Sequence, residues 1–490
     1  MILDNASHAA VPSVTLDDLF RRAGVRRPDG VALIDPPNRE RFTDGAARKL
    51  TYAQADRVIA AIAKRLRRLG LATDAVVALQ LPNTVESVLT LLGILRAGMI
   101  AAPLPLLWRR ADAVAALRGT GARALITCVR VGHAAPAETA MQVAADLFSV
   151  RHVCAFGARL PDGVTPLDDV FTADADGSGA VARLADPAAH IAALTFEIGA
   201  GGIASVARNH RQIVAGGLGA LREAGIAQNA VILSTIPASS FAGLALTLVP
   251  WLTSGGTLAL HHSFDAITFT AQACTQHHDA LIVPGAALAP LAEAGVLDAA
   301  ASVIALWRMP ERLRGGEPWR GTSTLVDVSC FGEFGLAASR RPGVNKPGEF
   351  ATGGHDSTSA IEVARSAAGT LLLRGAMVPG HTFPLGTPLT APGGFIDSGH
   401  PCGVTANGAL IVTGRPAGLA AVGFYRFRTR ELDALAARLD ADATLIALPQ
   451  ALTGERIAGH ALDPGPVLRQ LRELGVNPLI EAAFYPPHAA

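Results

Sequence analysis

The sequence lacks the residue patterns of zinc-binding, disulfide-linked and nucleic-acid-binding proteins. Charged residues make up only 17% of the chain and the formal net charge is +1, so nothing favours nucleic acid or an anionic membrane surface as a partner. The cysteines form no CxxC pair, which argues against a zinc site and a disulfide framework. They are scattered at Cys128, Cys154, Cys274, Cys330 and Cys402. We therefore expect no nucleic-acid partner, and reduced thiols in a cytoplasmic protein.

The pattern of a secretory signal and a long uninterrupted apolar run are also not expected from this sequence. Residues 1–13 do not combine a basic start with an apolar core, as a secretory signal would. The longest apolar stretch, 242–260, is interrupted by Pro250 and by Gly255-Gly256. These interruptions predict a buried helix, a turn and a buried strand, and not a membrane span.

What the sequence contains is a repeated strand–helix–strand pattern. The apolar run at 75–81 predicts a buried strand, the spacing at 85–95 a helix, and the run at 99–103 a second strand. Further strands are predicted at 122–127, 192–196 and 230–236. This order predicts an α/β fold in which parallel or mixed sheets are covered by helices and ligands bind at the strand ends.

The length of the chain, 490 residues with half of them hydrophobic, predicts at least two domains. A boundary is predicted near Thr413-Gly414, giving an N-terminal domain at 1–413 and a small α+β, lid-like domain at 414–490. A helix is expected at about 429–439 in the smaller domain. A Gly- and Ala-rich stretch at 173–182 predicts a surface loop.

Several segments, taken in order, resemble the adenylate-forming superfamily, which includes acyl- and aryl-CoA synthetases, peptide-synthetase adenylation domains and luciferases. They lie at 50–52, 77–83, 95–103, 252–258, 331–336, 412–415 and 422–425. The resemblance implies a reaction in which a carboxylate attacks ATP to form an acyl-adenylate, and a thiol, usually CoA, then displaces AMP. It therefore implies ATP and magnesium as cofactors, a small carboxylic acid as substrate and CoA as an acceptor.

The resemblance places the phosphate-binding loop after the strand that contains Thr195. Gly199, Gly201 and Gly202 could present backbone N–H groups to an anion. However, Glu197 adds a negative charge, and no basic residue occurs between it and Arg208. Two interpretations stay open: a weakened nucleotide loop, or a plain glycine turn between a strand and a helix.

Two further segments align with the acyl and adenine pockets of the family. Ser239, Ser240, Phe241 and Gly243 match the wall of the acyl pocket, although a simple strand-to-helix turn explains them equally well. Near the expected adenine site the chain reads Trp307-Arg-Met-Pro, in which a Trp and an Arg could fill the adenine space.

The resemblance also assigns a magnesium ligand and a ribose contact. Glu333 occupies the position of the glutamate that helps to hold magnesium, although glutamate is also an ordinary loop residue. His400 stands where the family has an aspartate that grips the ribose hydroxyls. A neutral His lacks the charge and the bidentate geometry of a carboxylate.

The hinge positions of the family have counterparts in this sequence, whereas the terminal lysine does not. Arg415 matches the arginine at the start of the hinge, and Gly418 aligns with the hinge residue itself. The lysine that completes adenylation in the family should come near the end of the chain, but the last lysine is Lys346. A cation at that point is a large part of transition-state stabilisation.

Two functions are compatible with these residues. One is an ATP-dependent acyl- or aryl-CoA ligase with an unusual site, supported by the resemblance, Glu333 and Arg415. The other is a non-catalytic relative that binds an acyl group, a nucleotide fragment or a partner protein. It is supported by the coincident loss of the phosphate-loop cation, the ribose carboxylate and the terminal lysine.

Overall fold

The computed structural model describes residues 13–173, 186–341, 347–352, 361–385, 388–391 and 393–485. Residues 1–12, Lys346 and nearly all of the predicted loop at 173–182 lie outside this part of the chain.

The helices account for the periodic apolar segments of the sequence. In chain order they are α1 (Leu16–Arg26), α2 (Arg39–Phe42), α3 (Tyr52–Arg68), α4 (Val85–Arg96), α5 (Arg110–Leu117), α6 (Pro136–Asp146), α7 (His210–Ala224), α8 (Phe241–Gly243), α9 (Val249–Ser254), α10 (Ala266–Thr275), α11 (Leu288–Glu293), α12 (Thr429–Leu439), α13 (Pro464–Leu474) and α14 (Pro478–Glu481). A π-helical segment, Leu244–Leu248, joins α8 to α9.

The strands alternate with these helices. They are β1 (Val31–Ile34), β2 (Lys49–Thr51), β3 (Val76–Leu79), β4 (Ile100–Pro103), β5 (Ala124–Cys128), β6 (His152–Phe156), β7 (Thr165–Pro166), β8 (Ile191–Gly199), β9 (Gly202–Asn209), β10 (Val231–Ser234), β11 (Thr257–Leu260), β12 (His278–Pro284), β13 (Ala300–Trp307), β14 (Thr324–Phe331), β15 (Gly335–Arg340), β16 (Glu349–Phe350), β17 (Glu362–Arg365), β18 (Thr370–Arg374), β19 (Ile396–Val404), β20 (Leu410–Val412), β21 (Leu419–Val422), β22 (Tyr425–Arg428), β23 (Thr444–Gln450) and β24 (Gly454–His460).

Two large mixed sheets form the body of the molecule. One has the strand order β7-β6-β5-β3-β4-β8-β9, and the other has the order β15-β14-β13-β12-β10-β11-β1-β2. The interior strands of both sheets pair in parallel, whereas β9, β15 and β2 pair antiparallel at the edges. The predicted α/β class with parallel and mixed sheets is confirmed.

The largest core lies between the two sheets and contains the apolar faces of α1, α3, α4, α7 and α9. The opposite face of the seven-stranded sheet packs on α5 and α6, and that of the eight-stranded sheet on α10 and α11. Because both faces of each sheet are covered, the interior strands are continuous apolar runs, as the sequence shows.

Local sequence signals explain where several helices begin. Thr51 accepts a hydrogen bond from the N–H of Gln54, whose side chain accepts one from the N–H of Thr51, so α3 starts with a reciprocal cap. The stretch from Phe241 to Leu260 is a buried helix, a turn at Gly255 and the buried strand β11, as predicted. In the described part of the chain no helix combines the length and the apolar character that crossing a bilayer requires.

A small C-terminal domain follows a third, antiparallel sheet of order β16-β20-β19-β18-β17. Its own sheet has the order β22-β21-β24-β23, and it packs on α12, α13 and α14 around a separate core that includes Leu432, Ile457 and Leu471. Helix α12 has the bounds that the sequence predicts. The division of the chain between 413 and 414 stays a prediction.

Candidate functional site

A cavity of about 420 Å³ lies where the two large sheets meet the C-terminal domain. Its walls come mainly from the segments that follow the carboxyl ends of β3, β4, β10, β11 and β13, together with β8, the end of β14 and the start of β22. Ligands of open α/β sheets bind outside the carboxyl ends of parallel strands, so this is the expected position for a functional site.

Most of the cavity wall is apolar. Leu81, Leu106, Trp108, Phe196 and Phe264 contribute to it. The rings of Trp108 and Phe196 pack against each other with their centroids 5.7 Å apart. This part of the wall offers dispersion contacts and a dry surface to an apolar body.

The polar end of the cavity is centred on Glu197 of β8. One carboxylate oxygen accepts a hydrogen bond from the backbone N–H of Glu333 at 2.5 Å, and the other lies 2.5 Å from a guanidinium nitrogen of Arg426. The Glu197 and Arg426 side chains are only 9% and 16% exposed. Burial raises the pKa of Glu197, and the positive charge of Arg426 opposes that rise.

The predicted phosphate loop is the tip of a β-hairpin. Strands β8 and β9 pair along their whole length, from Ile191 opposite Asn209 to Gly199 opposite Gly202. Gly202 has φ +132°, which favours glycine, and an added Cβ at Gly199 would meet nothing within 4 Å. The three glycines therefore make a tight turn between two strands, and β9 then leads into α7.

Glu333, the predicted magnesium ligand, lines the cavity but already has a backbone partner. One of its carboxylate oxygens accepts a hydrogen bond from the N–H of Phe241 at 2.6 Å. That N–H is at the start of α8, where backbone donors lack helical acceptors. Thr195 lies next to this region, and its buried hydroxyl has no hydrogen-bond partner among the described residues.

A fully buried arginine, Arg208, supports this end of the site from behind. Its guanidinium group donates to the backbone oxygens of Met377 and Glu333 and lies 3.5 Å from the centroid of the Phe241 ring. Burial lowers the pKa of Arg208 to about 9, so it stays charged at neutral pH. Its contacts position Glu333 and the start of α8.

The segment predicted to line an acyl pocket does so in part. Ser239 and Ser240 line the cavity, whereas Phe241 and Gly243 are buried at the start of the helix behind it. A Cβ on Gly243 would lie 1.9 Å from the backbone oxygen of Pro237, so the close approach of the chain requires glycine there. The Ser240 hydroxyl accepts a hydrogen bond from Arg308 at 2.6 Å.

The C-terminal domain closes one side of the cavity with its segment Phe424 to Arg426. The Tyr425 hydroxyl accepts a hydrogen bond from the N–H of Leu107 at 3.0 Å, and Arg428 donates to the backbone oxygen of Ala200 at 3.3 Å. The Arg428 contact and the pair of Arg426 and Glu197 hold β22 against the β8–β9 hairpin, and the Tyr425 contact holds it to the segment after β4.

His400, the predicted ribose contact, is in β19 and does not line the cavity. Its Nδ1 lies 3.0 Å from the backbone oxygen of Ser398, and its ring meets Phe331 edge-on with the centroids 5.6 Å apart. Burial, with a smaller effect from Arg426, lowers the pKa of His400 to about 3. A buried neutral imidazole in this position packs the interior of the protein.

The residues predicted to form a hinge lie at the start of the C-terminal domain. Gly418 has φ +73°, a conformation that favours glycine, and Arg415 forms an ion pair with Glu455. Trp307 donates to Asp327 at 2.7 Å and packs against Gly285, so it lies outside the main cavity.

The side chains at the polar end do not fit a magnesium-bound triphosphate. The hairpin tip carries no cation, the Glu197 carboxylate occupies that end of the cavity, and Arg426 is already paired. No group of three or more His, Cys, Asp or Glu residues with metal-binding geometry occurs among the residues that the structure describes.

The structure thus gathers Ser239, Ser240 and Glu333 at one cavity, with the glycine hairpin beside it, and leaves His400 and Arg415 away from the cavity wall. Sequence reasoning missed Arg426 and Tyr425, which line it, whereas Arg308 stands in the segment that was expected to fill the adenine space. A single arginine in a short segment gives no local signal, because its partner is 229 residues away in the case of Arg426.

Comparison with known proteins gives a consistent picture of the fold. The apo structure of MbtA from Mycobacterium smegmatis superposes with a TM-score of 0.68 at 22% identity, covering 96% of this chain and 90% of that one. The o-succinylbenzoate CoA synthetase MenE of Bacillus subtilis, bound with a product analogue, gives a TM-score of 0.72 at 13% identity, covering 94% and 93%. At these identities the similarity establishes the fold.

Sequence similarity to curated relatives is local. The chain is 36% identical to the human long-chain fatty acid transport protein 1 over 112 residues, which are 23% of this chain and 16% of that protein. The matches to curated relatives thus span less than a fifth of the length of those proteins.

The family model described as AMP-binding enzyme matches residues 20–287, more than half of the chain. Together with the two large sheets and the small C-terminal domain, this match shows that the chain belongs to the AMP-binding, adenylate-forming family.

Proposed function

We propose that the chain binds a small amphipathic carboxylic acid, or an acyl derivative of one, in the 420 Å³ cavity and does not adenylate it. The observation that carries the proposal is the pairing of Glu197 with Arg426 at the end of the cavity where a triphosphate would have to lie. An anionic nucleotide would meet a carboxylate there, and the cation beside that carboxylate, Arg426, is already neutralised. Arg308 is the one further guanidinium on the described cavity wall.

The apolar wall of the cavity is an argument for an acyl group as the ligand. A cavity of this volume falls in the range of about 300–1,000 Å³ that holds small organic ligands, and Trp108, Phe196 and Phe264 line it. The likeness to the adenylate-forming fold also supports a carboxylic acid as the ligand class.

Several groups that adenylation would need are missing together, and this supports the proposal that the chain does not adenylate its ligand. The hairpin tip has no cation, His400 is buried away from the cavity, and the chain has no lysine after Lys346. Removing one preorganised donor costs about 3–4 kcal/mol of transition-state stabilisation. Several such losses together would reduce the rate by many orders of magnitude.

A second function, ATP-dependent ligation of the acid to a thiol such as CoA, is favoured by family membership and by the position of Glu333 at the cavity. In that case Glu333 would have to release the Phe241 N–H and turn to a magnesium ion, and β22 would have to move away from the hairpin. Binding of a protein partner is a third alternative, and no specific contact favours it.

ATP–pyrophosphate exchange, measured across a panel of alkanoic and aryl acids with magnesium, separates these functions. The proposal predicts no acid-dependent exchange above background, alongside saturable binding of at least one acid by calorimetry. Acid-dependent exchange would establish the ligase instead. Exchange and acid binding that are both absent would remove the proposed ligand as well.

A further inference from the structure

The cavity contains one guanidinium group without a carboxylate partner. Arg308 follows β13 and lines the wall, and it forms no ion pair with any carboxylate in the described ranges. Arg426 is paired with Glu197. For Arg208, the largest compensating charge is that of Glu333. Arg308 therefore has no direct carboxylate contact in the described chain, and the charge of Glu197 acts on it only from a longer distance.

The guanidinium of Arg308 is held in place on two sides. One terminal nitrogen donates to the Ser240 hydroxyl at 2.6 Å, and the group lies 4.8 Å from the centroid of the Phe424 ring. Its Nε is buried and has no acceptor among the described residues. A buried donor without an acceptor costs free energy, so a bound acceptor at this position would be stabilising.

We infer that Arg308 is the specificity-determining residue of the cavity and that it recognises a carboxylate at one end of an apolar ligand. The planar fork of an arginine matches the two oxygens of a carboxylate. The hydroxyl of Ser239, which also lines the cavity and has no partner in the described chain, lies in the same segment as Ser240. The apolar body of the ligand contacts Leu106, Trp108 and Phe264.

This orientation makes the carboxylate a recognised group and not a reacting one. The inference rests on the proposed function, because it requires that the cavity bind an acid. It adds that the charge of the acid, and not only its apolar body, determines which ligands bind.

The test compares a set of acids with their primary amides, for example octanoate with octanamide and 3-phenylpropanoate with its amide, by calorimetry on the full chain. A charge-assisted hydrogen bond of this kind predicts about 10- to 100-fold tighter binding of the acid to the unchanged protein. Arg308→Gln should reduce that preference to about threefold or less and leave amide binding unchanged.

Arg314→Gln is the matched control, since Arg314 is exposed and outside the cavity, and it should keep the preference for the acid. Equal binding of acid and amide to the unchanged protein would overturn the role of Arg308 while leaving the proposed function standing. Failure of both to bind would overturn the proposed function and this inference with it. The acid-to-amide ratio of the unchanged protein needs no variant. The role of Arg308 can therefore be overturned even if Arg308→Gln does not fold.

Discussion

At the scale of single residues, two side chains at positions that the resemblance assigned to nucleotide binding satisfy the interior of the protein. His400 is 1% exposed and bonded to the Ser398 backbone, and Glu333 accepts the Phe241 N–H. Both arrangements lower the free energy of the folded state without a ligand. They also make the two side chains costly to recruit for binding, because each would leave a buried group unpaired.

The buried neutral His400 predicts sensitivity to acid. Its folded pKa is about 3, below the ordinary value of about 6.5 for an unfolded chain. As pH falls below about 6.5 the unfolded chain takes up the proton first, so the stability that neutral His400 contributes is present above that pH and is lost on acidification, by about 2 kcal/mol at pH 5. Urea unfolding of His400→Gln should show a smaller loss of free energy between pH 7 and pH 5 than the unchanged protein.

His460→Gln provides the control for that measurement, because His460 is exposed at the end of β24. It should show the same pH dependence as the unchanged protein. Equal slopes for all three proteins would contradict a buried neutral His400.

The contact between Glu333 and Phe241 predicts that replacing Glu333 destabilises the fold even when no metal ion is present. Glu333→Ala removes the acceptor of a buried N–H and should lower the free energy of unfolding by about 1–3 kcal/mol in EDTA. Glu333→Gln keeps an oxygen acceptor and should lose less. The exposed Glu317→Ala is the control, and it should change stability by about 0.5 kcal/mol or less.

At the scale of elements, the β8–β9 hairpin and β22 form one continuous contact. The backbone pairing of β8 and β9 shapes the glycine turn, and Arg426 and Arg428 of β22 reach Glu197 and Ala200 of the hairpin. The turn that was predicted to bind phosphates is thereby held in place by Arg426 and Arg428. This contact also determines the width of the cavity at its polar end.

The pair of Glu197 and Arg426 predicts strong coupling between the hairpin and the C-terminal domain. Since both side chains are largely buried, Glu197→Gln or Arg426→Gln alone leaves one buried charge uncompensated, and each should destabilise more than the double variant. A double-mutant cycle by urea unfolding should give a coupling energy of about 1–3 kcal/mol.

The exposed pair of Arg472 and Glu481, whose side chains are 56% and 25% exposed, is the comparison. Its cycle should give less than about 1 kcal/mol. Limited proteolysis adds an independent readout, because Arg426→Gln should speed cleavage between the two domains. If the coupling energy of Glu197 and Arg426 is no larger than that of the exposed pair, this ion pair does not couple the hairpin to the C-terminal domain.

At the scale of the whole molecule, the sequence predicts the layered α/β fold. It does not predict the hairpin at the cavity or which side chains pair there. Helix α12 and the helix–turn–strand unit from Phe241 to Leu260 follow from periodicity and glycine placement, which are local properties. The hairpin could not be predicted, because a glycine-rich segment looks the same as a loop or as a turn until its partner strand is known. The pairing of residues 229 apart likewise depends on the tertiary fold.

We propose, above all, that this adenylate-forming scaffold keeps a cavity for an acyl ligand and closes the predicted phosphate site with its own side chains. Calorimetric titration of the full chain with ATP and magnesium, in the presence and absence of a bound acid, tests it most directly. The account predicts no saturable nucleotide binding up to about 1 mM, the upper end of ordinary substrate affinities, while the acid binds in the same preparation. Micromolar binding of ATP that requires magnesium and is weakened by Glu333→Gln would contradict it.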